Sequence, residues 1–255
     1  MTTDDRASAL LALHRAPEVL VLANVWDVVS AQVVAAVDGV GALATASHSI
    51  ASTFGYPDGE NIPLDLHLDM VGRIVRAVDL PVTMDLEGGY GDPVATAQRA
   101  WDLGVVGGNL EDQRRPFDEA VARVRAVVQA LPAFVLNART DVVVRADPGA
   151  DREQLLAEAV RRGQAFLEAG APVVFVPGVV AREEVAALVA GLGRGNLSVI
   201  SVPGASLPTS ELQELGVARV STGPFTQRVA LTALQDAAAA VVGGGTLPAG
   251  TRALN

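Results

Sequence analysis

Eight short β-rich runs, each followed by a longer amphipathic run, constrain this chain more than any other feature. The strand-like runs are 19–26 "VLVLANVW", 41–47 "GALATAS", 81–87 "PVTMDLE", 105–111 "VVGGNLE", 133–139 "AFVLNAR", 172–177 "PVVFVP", 197–202 "LSVISV" and 218–222 "ARVST". Helical patterns occupy 28–38, 64–78, 93–103, 118–130, 151–169, 182–191, 208–215 and 225–242. Repeated βα units require a parallel sheet covered by helices, and eight of them predict a closed (β/α)₈ barrel of the TIM type. An open doubly wound sheet is the alternative, because periodicity does not show closure. No GxGxxG opens a helix after the first strand, which weakens its dinucleotide-binding form.

No linker, low-complexity segment or charge run divides the 255 residues, so one domain over 1–255 is expected. The tail from about 237 to 255 follows an Ala-rich helix, and we expect it to lie in subunit contact. No apolar run approaches the roughly 20 residues of a bilayer span. The start "MTTDDRASALLALHR" is acidic and lacks a secretory core, so a cytoplasmic chain without a membrane partner is expected. Net charge is −10 and no Arg-rich run occurs, so nucleic acid is not an expected partner.

All 19 basic residues are Arg. The absence of Lys excludes Schiff-base aldolase chemistry, pyridoxal anchoring and the P-loop, each of which needs a lysine amine. The absence of Cys excludes thiolate nucleophiles in the same way.

In a barrel the functional face lies at the C-terminal ends of the strands. Those ends carry Asn24, Trp26 and Asp27; Thr45, Ser47 and His48; Asp85 and Glu87; Glu111 and Asp112; and Arg139 and Asp141. The last three strands end on little but backbone and small residues, so the chemistry is expected in the first half. Alternation places Asp85 and Glu87 on one side of their strand. Together with Glu111 they form an oxygen-only set suited to a hard cation, Mg²⁺ or Mn²⁺, that keeps several waters. With three His and no Cys, zinc is poorly supplied. The structural alternative is that these acids pair with Arg or cap helices. Arg139 either grips a substrate carboxylate or phosphonate, or pairs with Glu111 or Asp141, and both can hold at once. Ser47 in "TASHSIAS" belongs to an anion cradle or an ordinary βα loop, and His48 is a weaker substrate contact. His14 and His67 fall in helical patterns and read as surface residues. Asp58, in the turn "GYPDGE", either forms that turn or reaches the metal's waters. Tyr90 is a lid anchor or a packed ring.

Taken together, "LANVWDVVSAQ", "TASHSIASTFGYPDGE", "MDLEGGYGDP", "NLED" and "NARTD", in register on successive strands, resemble the isocitrate lyase/phosphoenolpyruvate mutase superfamily. "FVPG" and "LGVARVSTGPF" follow more loosely. The resemblance implies a (β/α)₈ barrel, often a tetramer whose subunits exchange C-terminal helices. It implies Mg²⁺ at Asp85 and Glu87, with Asp58 and Glu111 supporting bound waters, and a 2-oxo or 2-hydroxy acid whose enolate is stabilised as a C–C or P–C bond breaks. Ser47 then falls in the substrate carboxylate loop and Arg139 matches the substrate arginine. The assignment is therefore Asp58 and Arg139 as catalytic, Ser47, His48 and Arg139 as substrate-binding, and Asp85, Glu87 and Glu111 as metal residues.

Two departures narrow the chemistry. "LEDQRRPFDEAVARV" passes from strand to helix in a few residues, without the Lys, Cys and His of the gating loop that lyase members carry. "FVPG" offers Pro177 where mutase-like members have a histidine. The expected activity is Mg²⁺-dependent C–C cleavage, decarboxylation or hydrolysis of a small 2-oxo or 2-hydroxy acid by a phosphonomutase-like homo-oligomer, dimer or tetramer. P–C chemistry on a phosphonopyruvate- or phosphoenolpyruvate-like substrate is the alternative, and a non-catalytic acid-binding barrel a third. Retention of Asp85, Glu87, Glu111 and Arg139 together argues against the third.

Overall fold

A computed structural model describes residues 1–254. The strands are β1 (Leu20–Leu22), β2 (Asn24–Val25), β3 (Leu43–Thr45), β4 (Val82–Asp85), β5 (Gly107–Glu111), β6 (Val135–Arg139), β7 (Val173–Phe175), β8 (Leu197–Ile200) and β9 (Arg219–Ser221). The helices are α1 (Thr3–Arg15), α2 (Val28–Ala35), α3 (Ser47–Thr53), α4 (Leu64–Ala77), α5 (Pro93–Asp102), α6 (Phe117–Ala130), α7 (Arg152–Glu168), α8 (Arg182–Leu192), α9 (Thr209–Leu215) and α10 (Phe225–Val242).

All pairings are parallel. The predicted first strand divides at Ala23: β1 pairs with β9 and β2 pairs with β3, so one covalent segment joins both edges and closes the ring. The fold is thus the (β/α)₈ barrel, with its first strand in two pieces. Aspartates cap α2, α5 and α7 through Asp27, Asp92 and Asp151, and Pro93 opens α5 where its missing N–H costs nothing.

Two elements are additional to the periodicity reading. Helix α3 continues directly from the end of β3, where small polar residues read as a loop. Helix α1 is started by a capping box between Thr2 and Asp5 and closes the N-terminal end of the barrel. Its Leu10 is fully buried in a cluster with Leu20, Leu22, Ala44 and Val135. Gly107 permits this approach, since a Cβ there would meet Val135 O at 2.5 Å and Leu10 Cδ2 at 3.0 Å.

His14 and His67 are buried, not surface residues as their helical patterns implied. His14 lies on the face of α1 that meets the barrel, and its Nδ1 donates to Leu10 O at 2.9 Å. Burial, aided by Arg219, pushes His14 down to about 4; burial does the same to His67, against Asp85. Helical periodicity identifies one face of a helix but does not say which neighbour covers it.

Candidate active site

Register sets the rim. Asp85 is level with Asn109, Glu111 with Arg139, and Arg139 with Phe175. Inward-facing side chains of neighbouring strands therefore meet in one cavity of about 290 Å³ at the C-terminal end of the ring. Its wall includes Ser47, His48, Asp58, Asp85, Glu111 and Arg139. Six of the seven residues assigned from the sequence thus come together. Ser47 Oγ donates to Asp85 Oδ2 at 2.8 Å and holds that carboxylate in place. Asp58 is exposed at the mouth.

Glu87 stands behind this wall. The strand ends at Asp85, and Glu87 adopts φ +50°, so the alternation that would align the two acids stops between them. The Glu87 carboxylate accepts from Tyr90 Oη–H at 3.1 Å and from the Glu60 backbone N–H, while Tyr90 N–H donates to Glu60 Oε1 at 2.6 Å. Tyr90 is accordingly a clamp between the Glu60 loop and Glu87, and its hydroxyl also meets His67 Nδ1 at 3.0 Å. Glu60, Glu87, Tyr90, Gln113 and Arg114 are the non-glycine residues with left-handed φ among those described, Glu60 in the loop after α3 and the others in the loops after β4 and β5. Such conformations typically cost about 1–3 kcal/mol each and collect at functional rims.

Arg139 makes both of the ion pairs named for it. Its Nη1 meets Glu111 Oε1 at 2.6 Å and its Nε meets Asp141 Oδ1 at 2.7 Å. Nη2 makes no hydrogen bond to any other described residue, and the side chain lines the cavity. Arg145 completes the lattice, with Glu111 Oε2 at 2.9 Å and Asp141 Oδ2 at 3.5 Å. Asp112, beside Glu111, is structural: it accepts from Thr140 Oγ1, Asp141 N–H and Arg162 Nη1 and bolts β5 to β6 and α7. None of Asp85, Glu87 and Glu111 caps a helix.

The carboxylates are crowded. Burial, followed by the charges of Asp85 and Asp58, pushes Glu87 up to about 7 against two hydrogen bonds. Burial also raises Glu111, with Asp85 adding to it and Arg139 opposing. Asp85 and Glu87 have no cationic partner among the described residues, and these oxygen donors fit a hard divalent cation. Among the described residues no group of three or more His, Cys, Asp or Glu closes on one point as a ligand cage. An ion that keeps several waters, as Mg²⁺ does, suits that spacing; a zinc-type cage does not.

The loop from β5 to α6 is five residues long, Asp112 to Pro116, so no long gating segment rises from strand five. Phe175, Pro177, Gly178, Ile200 and Phe225 form an apolar wall. The later strands thus give the cavity its shape rather than its charge. Asn109 and Phe175 escaped the sequence reading, yet parity flags both: Asn109 is two residues before Glu111 on the inward face, and Phe175 two before Pro177.

Comparison with known proteins agrees with this geometry. The phosphoenolpyruvate phosphomutase family profile matches residues 10–242. A provisionally assigned phosphonomutase from Burkholderia cenocepacia superposes with a TM-score of 0.84 at 39% identity, over 95% of this chain and 100% of that one. An uncharacterised Mycobacterium tuberculosis protein is 34% identical over 241 residues, 92% of this chain and 90% of its own length. Oxaloacetate decarboxylase from Paraburkholderia xenovorans is 29% identical over 231 residues, 84% of this chain and 75% of that protein. With its profile match, its ring of strands and its rim of acids and one arginine in agreement, the chain belongs to the phosphoenolpyruvate phosphomutase family, within the isocitrate lyase/PEP mutase superfamily of lyases and mutases.

Proposed function

We propose that the protein is a Mg²⁺-dependent enzyme that cleaves a C–C bond in a small 2-oxo or 2-hydroxy dicarboxylic acid, by decarboxylation, hydrolysis or lyase chemistry. The observation that carries this reading is the charge of the cavity wall, where a single guanidinium, Arg139, faces the carboxylates of Asp58, Asp85 and Glu111. A dicarboxylate enters such a wall only with a cation, which meets one carboxylate while Arg139 meets the other. A phosphonate can carry one more negative charge than a carboxylate, and among the described residues the wall holds no second guanidinium for it. The names of relatives point the same way: oxaloacetate decarboxylase among the sequence matches and oxaloacetate acetylhydrolase among the structures, the latter at 26% identity and a TM-score of 0.83.

In this reading Asp85 and Glu111, with Asp58 and Glu87 acting on bound waters, hold the ion, which when bound polarises the 2-oxo group as a Lewis acid. Arg139 Nη2 takes the substrate carboxylate, oriented by Glu111 and Asp141 on its other nitrogens. Ser47 keeps Asp85 turned to the cavity. Asp58, at the mouth, handles the proton, and the apolar wall of Phe175, Pro177 and Phe225 excludes water from the reacting side.

A second copy of the chain is proposed to cover α10. That helix buries only Gln227 and leaves Val229, Leu231, Leu234 and Val242 more than half exposed.

Incubation with oxaloacetate, a 2-methylmalate-type acid and phosphonopyruvate, each with Mg²⁺ and with EDTA, tests the reaction. Proton and phosphorus NMR identify the products. Mg²⁺-dependent loss of oxaloacetate or the methylmalate, giving pyruvate or oxalate with its partner fragment, is expected. Turnover of phosphonopyruvate alone, or of none of the three, refutes the proposal.

A further inference from the structure

Beneath the cavity a buried arginine decides how one amide faces the substrate. Asn109, on the cavity wall and level with Asp85, has its Oδ1 filled from below. It accepts from Asn137 Nδ2 at 2.7 Å and from Arg219 Nη2 at 3.2 Å. A guanidinium only donates, so the oxygen of Asn109 must face Arg219; the flipped amide would set donor against donor where no water reaches. Arg219 is 1% exposed, and among the described residues its Nε and Nη1 have no partner. The group left to face the cavity is therefore Asn109 Nδ2, which makes no hydrogen bond to any described residue.

This matters because the wall is poor in donors. The hydroxyl of Ser47 is committed to Asp85, and two of the three nitrogens of Arg139 are committed to Glu111 and Asp141.

We infer that Asn109 Nδ2 is a specificity-determining donor to a substrate carboxylate or oxo oxygen next to Asp85, and that Arg219 is the positioning residue that fixes its orientation. The inference rests on the reading of the site given above and deepens it. It requires a planar oxygen acceptor on the Asp85 side of the substrate, in addition to the carboxylate that Arg139 holds. Substrates with an alkyl group at that place are disfavoured, because the amide N–H would lose water without gaining a partner.

Oxalate, a flat dianion with acceptors on both sides, is the probe. Its binding to the full chain is measured by calorimetry in excess Mg²⁺, beside thermal melts, for wild type, Asn109→Ala, Asn109→Asp, Arg219→Met and Arg219→Lys. Asn109→Ala is expected to weaken oxalate by about 10- to 100-fold, the range for a hydrogen bond to a charged group. Asn109→Asp keeps an oxygen for Arg219 but replaces the donor with a negative acceptor. It should weaken oxalate at least as much while melting no lower than wild type, a divergence that a merely structural asparagine would not produce. Arg219→Met should weaken oxalate, and Arg219→Lys, which restores a donor, should recover part of the loss.

Wild type that binds oxalate while Asn109→Ala binds it equally well overturns this inference and leaves the proposed function standing. Should Asn109→Ala fail to fold, Asn109→Asp decides by the same criterion. Unchanged binding in Arg219→Met removes the positioning role. Wild type that fails to bind oxalate with Mg²⁺ present overturns the inference and the reading beneath it together.

Discussion

Replacing Arg139 with Met keeps most of the side-chain volume and removes the charge that two buried acids share. Asp141 is fully buried and Glu111 is 7% exposed, and Arg139 reaches them at 2.7 and 2.6 Å. Breaking a buried pair from one side typically costs about 3–5 kcal/mol, because the remaining charge stays desolvated. Here Arg145 remains at 2.9 Å from Glu111, though it is half exposed, so the lower end, about 3 kcal/mol, is expected. For a chain of this size that corresponds to roughly 6–12 °C in melting temperature.

The loss should depend on pH. Burial raises both acids and Arg139 opposes that, so without Arg139 both rise further. A carboxyl with a raised folded pKa binds more protons folded than unfolded, so its destabilisation is absent at acid pH and grows as pH climbs towards the folded value. The deficit should therefore be smallest at acid pH and grow as pH climbs through the wild-type folded values of the two acids, about 8 for Glu111. Urea titrations at several pH values measure it, and adding Glu111→Gln should return part of the loss, since a neutral amide needs no counter-charge. A deficit below about 1 kcal/mol that is flat with pH would show that the lattice does not hold the rim, and the argument for Arg139 would fail.

Three further outcomes are expected. In EDTA, wild-type stability should fall as pH rises from the ordinary Glu range towards about 7, where Glu87 ionises; Asp85→Asn removes a neighbouring charge, flattens that fall, adds about 1 kcal/mol and abolishes any Mg²⁺-induced rise in melting temperature. A metal-independent loss of stability in Asp85→Asn, with no Mg²⁺ effect on wild type, would instead mark these acids as structural. Leu10→Ala, at the opposite end of the barrel, should cost about 2–5 kcal/mol in urea titrations and leave oxalate binding unchanged, whereas a negligible cost would mean that α1 does not seal the ring. Leu234→Glu should shift the protein to a smaller species in light scattering, because Leu234 is 65% exposed within one chain; a wild type that is already monomeric at micromolar concentration removes the basis for subunit contact through α10.

Much of the fold is legible in the sequence because its signals are local. The run from Leu64 to Ala77 carries a 3.6-residue apolar stripe, and Asp92 with Pro93 announces the start of α5, so these helices are found within a residue of their ends. Strand ends are less legible. The stretch from Pro81 to Glu87 reads as one strand, but pairing with β5 holds only to Asp85, after which Leu86 and Glu87 turn away. The same limit hid α1. Its face of Ala7, Leu10 and His14 is plain, but what covers it lies on β1, β3, β5 and β6 and the loops before them, far along the chain.

The sequence alone determined that eight βα units place Ser47, Asp58, Asp85, Glu111 and Arg139 at strand ends or in the loops after them, since pattern and position need only neighbours along the chain. Tertiary structure decided the division of labour among them. It put Glu87 behind Asp85, made Arg139 both a structural fork and a free nitrogen, and brought Arg219 up beneath Asn109 from 110 residues away. Those outcomes depend on side-chain direction and on which charges share low-dielectric space, and both are set only when separate strands come into register.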